Sequence, residues 1–233
     1  MDMKRIGLTN NQLKILAMIS MLLDHVGLML LPEYTILRVL GRLAFPIFAY
    51  MIAEGCRYTR SRVKYLLTML IMAVGIQAVY FFAMGSLYQN ILLTFSMSVL
   101  LICAVDVFLQ KKTVARGCIA VGTILFVTFV GAVAPVIWKD AGFVIDYGFF
   151  GILLPVAVYY APGKWGKLMA TAAILLIRAL LYGELKWFAL LSLPLLLLYN
   201  RKRGKYKLKY LFYVFYPLHL VLIYLVEQIL LRI

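Results

Sequence analysis

Long apolar runs, separated by short polar connectors, recur along the whole chain. A bilayer core about 30 Å thick takes about 20 apolar residues of helix, and a helix leaves no backbone group unpaired in lipid. The pattern predicts an all-α, polytopic membrane bundle that forms one domain over residues 1–233. The nine predicted spans cover residues 12–31, 36–54, 63–84, 90–109, 117–137, 143–161, 166–183, 185–199 and 210–231.

The distribution of basic residues predicts how the bundle is oriented. The chain has 24 Lys and Arg against 9 Asp and Glu, a net charge of +15. Arg42 and Arg178 lie inside spans, 18 basic residues fall on the side of the N-terminus, and the other side receives Arg38, Lys139, Lys186 and Arg232. Because basic connectors stay in the cytoplasm, we expect a cytoplasmic N-terminus and an outside C-terminus. The expected location is the plasma membrane, which is the inner membrane of a bacterium.

The eighth run departs from this regularity. Residues 186–199 give only about 20 Å of helix at about 1.5 Å per residue, and Pro194 interrupts them. A re-entrant segment is therefore the alternative to a crossing. It would move the basic residues of segment 201–209 to the outside, so the charge bias favours nine crossings.

The composition narrows the classes of function. Hydrophobic residues make up 65% of the chain and charged residues 14%, against about 45–50% and about 25% in a soluble domain. The basic residues lie in short connectors, so the lipid bilayer is the expected partner and nucleic acid is not. The sequence has no Walker or Rossmann glycine loop, no HExxH, no Gly-x-Ser-x-Gly elbow and no metal-type His/Cys spacing. This argues against ATP hydrolysis, an acyl-serine enzyme and a metal site.

Ionisable residues interrupt the first two spans. Asp24 and His25 lie in the first span and Arg42 lies in the second, at a comparable depth beyond the membrane centre. A charge in hydrocarbon costs about 2.5 kcal/mol or more unless it is paired or hydrated, which makes these residues candidates for a functional site. Consecutive helical residues point about 100° apart. We therefore expect Asp24 to pair with Arg42 and leave His25 free toward a cavity. The alternative is a structural ion pair beside a satisfied histidine.

The cytoplasmic end of the second span carries further charges. Glu54 and Arg57 end this span, and Arg60 and Arg62 follow in the connector. The three arginines are placed to hold phosphates by charge-assisted hydrogen bonds, and coenzyme A is a substrate with such phosphates. The alternative is that Glu54 is an ordinary interfacial acid and Arg57 a snorkelling residue.

Other candidates lie near helix ends and in the last span. Asn90 opens the fourth span and Asp146 lies near the start of the sixth, where each either caps its helix or lines a site. Tyr216 and His219 are three residues apart and share a helix face. The chain has 2 histidines, and we expect at least one of them to act as an acid–base group. The alternative for His219 is a hydrogen bond that joins two helices.

Several motifs from both ends of the chain carry a family resemblance. They are Met21-Leu22-Leu23-Asp24-His25-Val26-Gly27, Gly41-Arg42-Leu43-Ala44-Phe45-Pro46-Ile47-Phe48, Glu54-Gly55 with Arg57, Asn90-Ile91 with Thr94, Asp146-Tyr147-Gly148 and Tyr216-Pro217-Leu218-His219-Leu220. With these motifs the chain resembles the TraX family, membrane proteins named for the conjugative pilin N-acetylase. That family is similar to the wider superfamily of transmembrane acyltransferases.

The resemblance implies an acyl-CoA-dependent acetyltransferase or related acyltransferase. Acetyl-CoA from the cytoplasm would be the co-substrate, with no metal, and the acceptor would be a peptide, another amine or a glycan. The implied site consists of Asp24, His25, Arg42, Glu54, Asn90 and His219. We expect His25 to deprotonate the acceptor, Asp24 and Arg42 to polarise the acyl carbonyl, and His219 to orient the reactants or act as the alternate base. Glu54, Asn90, Asp146 and Tyr216 are expected to bind substrate, and Arg57, Arg60 and Arg62 to hold coenzyme A.

Two other functions are compatible with buried charges. A small-molecule or proton-coupled transporter uses intramembrane carboxylates and histidines, but transporters commonly contain internal repeats, and none is evident at a fixed period. A non-enzymatic scaffold has no need for clustered polar residues in lipid. The sequence leaves open the identity of the acceptor, the choice between N- and O-acylation, and whether the protein forms a homo-oligomer.

Overall fold

The computed structural model describes residues 7–205 and 208–231. Four residues that contribute to the predicted charge bias, Lys4, Arg5, Lys207 and Arg232, lie outside the described residues. The described part is mostly helical. Its helices are α1 (Asn10–Met29), α2 (Thr35–Gly41), α3 (Ala44–Tyr58), α4 (Arg62–Met84), α5 (Ile91–Gln110), α6 (Val114–Thr128), α7 (Ala134–Ile137), α8 (Gly148–Tyr160), α9 (Gly163–Tyr182), α10 (Ser192–Leu197) and α11 (Lys209–Leu230).

Short irregular elements complete the description. A π-helical turn, Phe129–Val133, joins α6 to α7, and a 3₁₀-helix, Glu184–Leu191, precedes α10. Two strands of two residues each, β1 (Tyr88–Gln89) and β2 (Val144–Ile145), pair in parallel. Tyr88 lies opposite Val144 and Gln89 opposite Ile145. This pairing brings the connector before α5 together with the connector before α8.

The helices confirm the class of fold that the apolar pattern predicts. Among the described residues, 6 helices are long and apolar enough to cross a membrane, when α2 is counted with α3 and α6 with α7. Two further apolar helices, Gly148–Tyr160 and Val214–Leu230, are shorter. The chain is thus an all-α, multi-pass membrane protein. The count of nine crossings and the sides of the two termini stay predictions.

The second predicted span is not one continuous helix. The sequence pattern predicts a single helix over residues 36–54, whereas the structure breaks it at Arg42 and Leu43, between α2 and α3. Pro46 explains the break, because its nitrogen has no hydrogen to donate to the carbonyl of Arg42 four residues earlier. Proline is tolerated in the first turn of a helix, where backbone donors lack partners, so α3 can begin at Ala44. The break positions Arg42 at a helix end.

Contacts divide the chain into two compact units. Unit 1 comprises Met1–Met51 and Lys164–Ile233. In unit 1, α1 packs against α2 and against α11, and Leu13, Ala17, Ile47 and Leu175 are almost fully buried. The backbone of Leu8 pairs with that of Leu198 and Asn200, which fastens the segment before α1 to the segment after α10. Unit 1 therefore joins the two ends of the described chain.

Unit 2 comprises Ile52–Gly163 and is organised around α5. The helices α4, α6 and α8 all pack against α5. The side chain of Ser98 in α5 donates a hydrogen bond of 2.8 Å to the carbonyl of Ile152 in α8. Buried Met97, Leu101 and Val127 form an apolar core with Ile145 and Ile152. The prediction of a single domain over residues 1–233 is not tested by this division.

Candidate functional site

Two glycines allow α1 and α2 to approach closely in unit 1. A Cβ added to Gly41 would overlap the side chain of Asp24 and lie 2.7 Å from its Cα. A Cβ added to Gly27 would lie 2.7 Å from the Cβ of Leu37. Both distances are shorter than real Cβ contacts allow, and small residues are what membrane helices use at tight interfaces. The glycines therefore set the spacing that places Asp24 next to the end of α2.

The predicted pairing of Asp24 with Arg42 is confirmed. The Nη2 atom of Arg42 lies 2.8 Å from Oδ1 of Asp24, and Arg42 is buried. Arg38, which the sequence analysis counts only as an outside charge, also reaches this carboxylate with Nη1 at 3.1 Å. The same Nη1 donates to the carbonyl oxygen of Asp24 at 3.0 Å, and Nε of Arg42 donates to the carbonyl of Arg38 at 3.3 Å. One carboxylate therefore holds two arginines.

The two histidines are 194 residues apart in sequence, but their side chains are in contact. His25 lies on α1, directly after Asp24. Nδ1 of His25 lies 2.9 Å from the carbonyl oxygen of Met21, and Nδ1 of His219 lies 2.8 Å from that of Phe215. A carbonyl only accepts hydrogen bonds, so in the neutral rings we assign the proton to Nδ1 in both cases. Nε2 of His219 then accepts from Nδ1 of His25 at 3.2 Å.

This assignment leaves a lone pair on Nε2 of His25. Among the described residues, no hydrogen bond reaches that nitrogen. The prediction that His25 is left free toward a cavity was wrong for Nδ1, because His25 is held on that side by Met21 and His219. The ring is oriented through one nitrogen, and the other nitrogen retains the ability to take a proton. This is the arrangement that a general base needs.

Aromatic rings surround His219. The ring of Phe215 stacks on His219 with centroids 4.7 Å apart and an angle of 9° between the planes. The ring of Tyr216 lies 5.7 Å away and is buried, as is His219. Tyr216, predicted to bind substrate, is thus brought to the histidine pair. Its substrate contact stays a prediction.

Two more cations belong to this neighbourhood. Arg178 of α9 is buried, and its guanidinium lies 5.1 Å from the ring centroid of Phe45 and 5.8 Å from that of Tyr182. Lys186 belongs to the 3₁₀-helix, which contacts α2. The positive charges of Arg42, Arg178 and Arg38 and the carboxylate of Asp24 act electrostatically on Lys186. Below, the histidine–arginine cluster denotes Asp24, His25, Arg38, Arg42, Arg178, Lys186 and His219.

A second ionic cluster lies in unit 2. Arg62 forms an ion pair with Asp106 and donates to the hydroxyl of Tyr159 at 2.6 Å. The Asp106 carboxylate also accepts from the hydroxyls of Tyr159 at 2.7 Å and Tyr160 at 2.8 Å. We refer to Arg62, Asp106, Tyr159 and Tyr160 as the Asp106 cluster. Arg62, one of the three residues predicted to hold coenzyme A, is therefore occupied with protein partners.

The other two arginines of that prediction differ from each other. Arg57 donates to the carbonyl of Tyr159 and lies over the ring of that residue, with Cζ 5.4 Å from its centroid. Arg60 is exposed in the connector between α3 and α4. Nothing in these contacts tests the binding of coenzyme A, so the assignment of Arg57, Arg60 and Arg62 stays a prediction.

Glu54 and Asn90 are both buried in unit 2. Asn90 caps α5, since its Oδ1 accepts from the backbone of Leu92 at 3.1 Å, and its Nδ2 donates to the carbonyl of Ala73 at 2.9 Å. The capping alternative left open by the sequence is thus confirmed for Asn90. Glu54 lies on α3 and is only 1% exposed. The predicted substrate contacts of both residues are untested.

Asp146 lies before α8 but does not occupy the cap position. Tyr147, with a left-handed backbone, precedes the first residue of α8, Gly148. The backbone of Asp146 accepts from the hydroxyl of Thr94 at 2.7 Å and donates to the carbonyl of Gln89 at 3.0 Å. Its carboxylate accepts a hydrogen bond from the hydroxyl of Tyr88. Burial, together with this carboxylate, raises the pKa of the Tyr88 hydroxyl above its usual range. Asp146 therefore fastens α5 to the β1–β2 pair.

Three members of these clusters are not predicted from the sequence to belong to them: Arg38, Lys186 and Asp106. Arg38 lies four residues before Arg42 in the same predicted span, and this spacing puts both on one helix face. That signal was available in the sequence. No comparable signal connects Lys186 to Arg42 or Asp106 to Arg62, because these pairs depend on which helices become neighbours.

Known proteins resemble this chain over most of its length. The family profile described as TraX protein matches residues 9–227. A protein of Dichelobacter nodosus named probable fimbrial assembly protein FimC, serogroup H1, is 26% identical over 91% of this chain and 93% of its own length. The uncharacterized protein RP591 of Rickettsia prowazekii (strain Madrid E) is 54% identical over 44 residues, 18% of either chain. No solved structure matches. Since the profile covers both spans of the Asp24–Arg42 pair and both histidines, this chain belongs to the TraX family.

Proposed function

We propose that the protein is a membrane-embedded acyltransferase that moves an acetyl or related acyl group from acyl-CoA to an amine of a fimbrial subunit. The observation that carries this proposal is the His25–His219 contact of 3.2 Å beside the Asp24–Arg42 ion pair. An acid–base group next to fixed positive charge is what acyl transfer requires. Both occur on helices that otherwise pack in lipid.

His25 acts as the general base in this reaction. Its Nε2 takes the proton of the acceptor nitrogen while the new C–N bond forms at the acyl carbon. The C–S bond of the thioester then breaks, and the proton passes from His25 to the departing sulfur, which leaves as a thiol. His219 holds the His25 ring through Nδ1 and is a positioning residue. A positioned base contributes about 10²–10⁴-fold to a rate.

The arginines stabilise the negative charge that develops on the acyl oxygen. The guanidinium groups of Arg38 and Arg42 both contact the carboxylate of Asp24. Arg42 is buried, and charge stabilisation is stronger in a poorly hydrated environment than in water. Asp24 fixes both guanidinium groups in place, so they need little rearrangement as the charge forms.

The donor and the acceptor enter from different sides in this proposal. Acetyl-CoA comes from the cytoplasm of a bacterial cell, with Arg57, Arg60 and Arg62 at the corresponding helix ends, and the protein lies in the inner membrane. The acceptor is a peptide because the relative from Dichelobacter nodosus is named a probable fimbrial assembly protein. Glu54, Asn90, Asp146 and Tyr216 are the proposed contacts for the substrates.

The test is transfer of a labelled acetyl group by the purified protein. We expect label from acetyl-CoA to appear on a peptide with a free N-terminus, and the His25→Ala/His219→Ala variant to lose this transfer. A Lys139→Gln variant, which removes an exposed charge, is the control for handling and yield. Either result alone overturns the proposal: absence of coenzyme A binding, or unchanged transfer in the double histidine variant.

A further inference from the structure

The connector between α10 and α11 is fastened to the segment before α1. The backbone nitrogen of Leu8 donates to the carbonyl of Leu198 at 2.8 Å, and the backbone nitrogen of Asn200 donates to the carbonyl of Leu8 at 2.9 Å. The side chain of Asn200 donates to the carbonyl of Gly7 at 2.8 Å and accepts from the backbone nitrogen of Lys202 at 2.9 Å. The connector therefore follows a fixed path at the end of the bundle where α1 begins.

The same connector caps the start of α1. The backbone nitrogen of Asn10 donates to the carbonyl of Lys202 at 2.8 Å. The backbone nitrogen of Asn11 donates to the carbonyl of Arg203 at 3.2 Å. The first nitrogens of a helix have no partner within that helix, so these two carbonyls supply the missing partners. Lys202 and Arg203 thus support the fold through their backbone, and the cap does not need their side chains.

Three consecutive basic side chains extend from this fixed backbone. We refer to Arg201, Lys202 and Arg203 as the basic triplet, and all three are exposed. Arg201 has a left-handed backbone with φ of 62°, which is uncommon for a residue other than glycine. Within residues 7–205 and 208–231, no ion pair or hydrogen bond reaches the three side chains. The charges of the basic triplet are therefore available to an anion from outside the protein.

The helix that this connector caps also carries the proposed base. His25 lies on α1, and residues 10–25 form about 22 Å of helix at about 1.5 Å per residue. In acyl-CoA, about thirteen bonds separate the thioester sulfur from the first phosphorus, or about 15 Å when extended at about 3.5 Å per three bonds. The diphosphate and a long basic side chain add to this distance. A donor held by its phosphates at the basic triplet can therefore bring its acyl group to His25.

Two sources of phosphate can meet an exposed basic connector on the cytoplasmic side. Anionic lipid headgroups attract cations close to the membrane surface, and this attraction requires neither a fixed backbone nor a particular helix. The basic triplet has both, because its backbone is bonded to the start of α1. A site that orients one molecule relative to His25 needs this fixed position, whereas a lipid surface does not. The geometry therefore favours the acyl donor over lipid.

We propose that the basic triplet binds the phosphates of acyl-CoA, with the pantetheine arm directed along α1 toward His25. This inference rests on the proposed acyltransferase function and places the donor's phosphates in unit 1, which also contains both histidines. Guanidinium and ammonium groups bind phosphates by charge-assisted hydrogen bonds. Arg62, by contrast, already forms an ion pair with Asp106 in unit 2.

The experiment measures ligand binding by the purified full chain in bilayer discs of phosphatidylcholine, which carries no net charge. The probes are coenzyme A, dephospho-coenzyme A, which lacks the 3′-phosphate, and pantetheine, which has no phosphate. The test variant is Lys202→Gln/Arg203→Gln, in which the carbonyls that cap α1 remain in place. Arg201 stays unchanged, because a substitution at its left-handed backbone would also alter the turn.

We expect the test variant to bind coenzyme A about tenfold more weakly than the unaltered protein and to bind pantetheine equally well. In the transfer assay, KM for acetyl-CoA should rise and kcat should stay the same, because the triplet contacts the phosphates and not the reacting atoms. Lys202→Arg/Arg203→Lys keeps both charges and should retain binding. Lys111→Gln/Lys112→Gln removes two exposed charges from a connector of unit 2 and should retain it as well.

The outcomes separate this inference from the proposed function. Transfer together with unchanged coenzyme A binding in the test variant overturns the phosphate site and keeps the acyltransferase. Triplet-dependent binding of coenzyme A without any transfer keeps the site and overturns the acyltransferase. An equal loss of binding in the Lys111→Gln/Lys112→Gln protein overturns the site as well. A test variant that binds coenzyme A normally but retains less phosphatidylglycerol during purification shows a lipid-headgroup site instead and overturns the proposal.

Discussion

The two ionic clusters of this protein contain similar kinds of residues but differ in their roles. In the Asp106 cluster, one carboxylate accepts from Arg62 and from two tyrosine hydroxyls, so positive and negative charge balance. In the histidine–arginine cluster, one carboxylate contacts two arginines, and an imidazole nitrogen of His25 is left with its lone pair. The Asp106 cluster joins helices, whereas the histidine–arginine cluster keeps a basic nitrogen that can act on another molecule.

The comparison leads to a general expectation for variants. Changes in the Asp106 cluster should alter the stability of unit 2 without a specific effect on chemistry. Changes in the histidine–arginine cluster should alter chemistry more than stability.

Loss of the base should have the largest effect. We expect His25→Ala to lower the rate of acyl transfer by about 10²–10⁴-fold, because it removes the imidazole nitrogen that takes the proton. His219→Ala should lower the rate less, since His219 acts through the orientation of His25. The measurement is label transfer from acetyl-CoA at equal amounts of folded protein. Equal losses for the two variants would contradict the assigned roles.

The balanced cluster should respond in stability instead. Asp106→Asn leaves the Arg62 charge without its partner, and breaking a fully buried pair costs about 3–5 kcal/mol. The side chain of Arg62 keeps 30% exposure, so we expect about 2 kcal/mol in the free energy of unfolding. Unfolding by denaturant in detergent measures this loss.

A paired replacement is the control for Asp106. Arg62→Met together with Asp106→Leu removes both charges and should recover much of the loss, because apolar residues of similar volume replace ion pairs well. At saturating acetyl-CoA, the rate of acyl transfer per folded molecule should be unchanged in both variants, because any contribution of Arg62 to the binding of coenzyme A changes KM and not this rate. A rate loss beyond the loss of folded protein would place the Asp106 cluster in the reaction and remove the distinction drawn here.

The close approach of α1 and α2 can be tested independently of charge. Gly41→Ala introduces a methyl group that overlaps Asp24, and overpacking of this kind costs about 1–2 kcal/mol when the added group is small. Transfer should fall as well, since the Asp24–Arg42 distance has to increase. Gly75→Ala is the matched control, because a Cβ at Gly75 meets nothing within 4 Å. A Gly41→Ala protein as stable as the control would show that the α1–α2 interface can accommodate the added methyl group.

The sequence was sufficient to predict the class of fold and the Asp24–Arg42 pair, but not the form of the eighth apolar run, which is a 3₁₀-helix followed by the short helix α10. Spans of about 20 apolar residues must be helical in lipid, and two consecutive spans joined by a short connector must be antiparallel neighbours, which brings Asp24 and Arg42 to one depth. The break after α2 was also encoded, in Pro46, but hydropathy averages over a whole window and does not respond to one missing donor.

The sequence was not sufficient for contacts between distant helices. Whether the helix of His219 lies against the helix of His25 depends on the packing of the bundle, and no spacing rule relates residues 194 positions apart. The same holds for Arg62 and Asp106. The likeness of the motifs to the TraX family named both histidines, but it did not indicate that the two rings touch.

The smallest expected effect concerns Asn90, whose two alternatives can still be separated. Its side chain caps α5 and bonds to the carbonyl of Ala73, so Asn90→Ala should cost about 1 kcal/mol or slightly more in the free energy of unfolding. Ser61, whose side chain caps α4 through the backbone of Lys64 at an exposed position, provides the comparison. Ser61→Ala should cost less, because water can replace the lost bond there.

Asn90→Asp keeps the capping oxygen and should recover part of the stability. If transfer follows the folded fraction in all three variants, Asn90 serves the fold of unit 2 alone. A fall in transfer for Asn90→Asp at full stability would instead support its predicted contact with substrate, and would extend the reactive machinery beyond the histidine–arginine cluster.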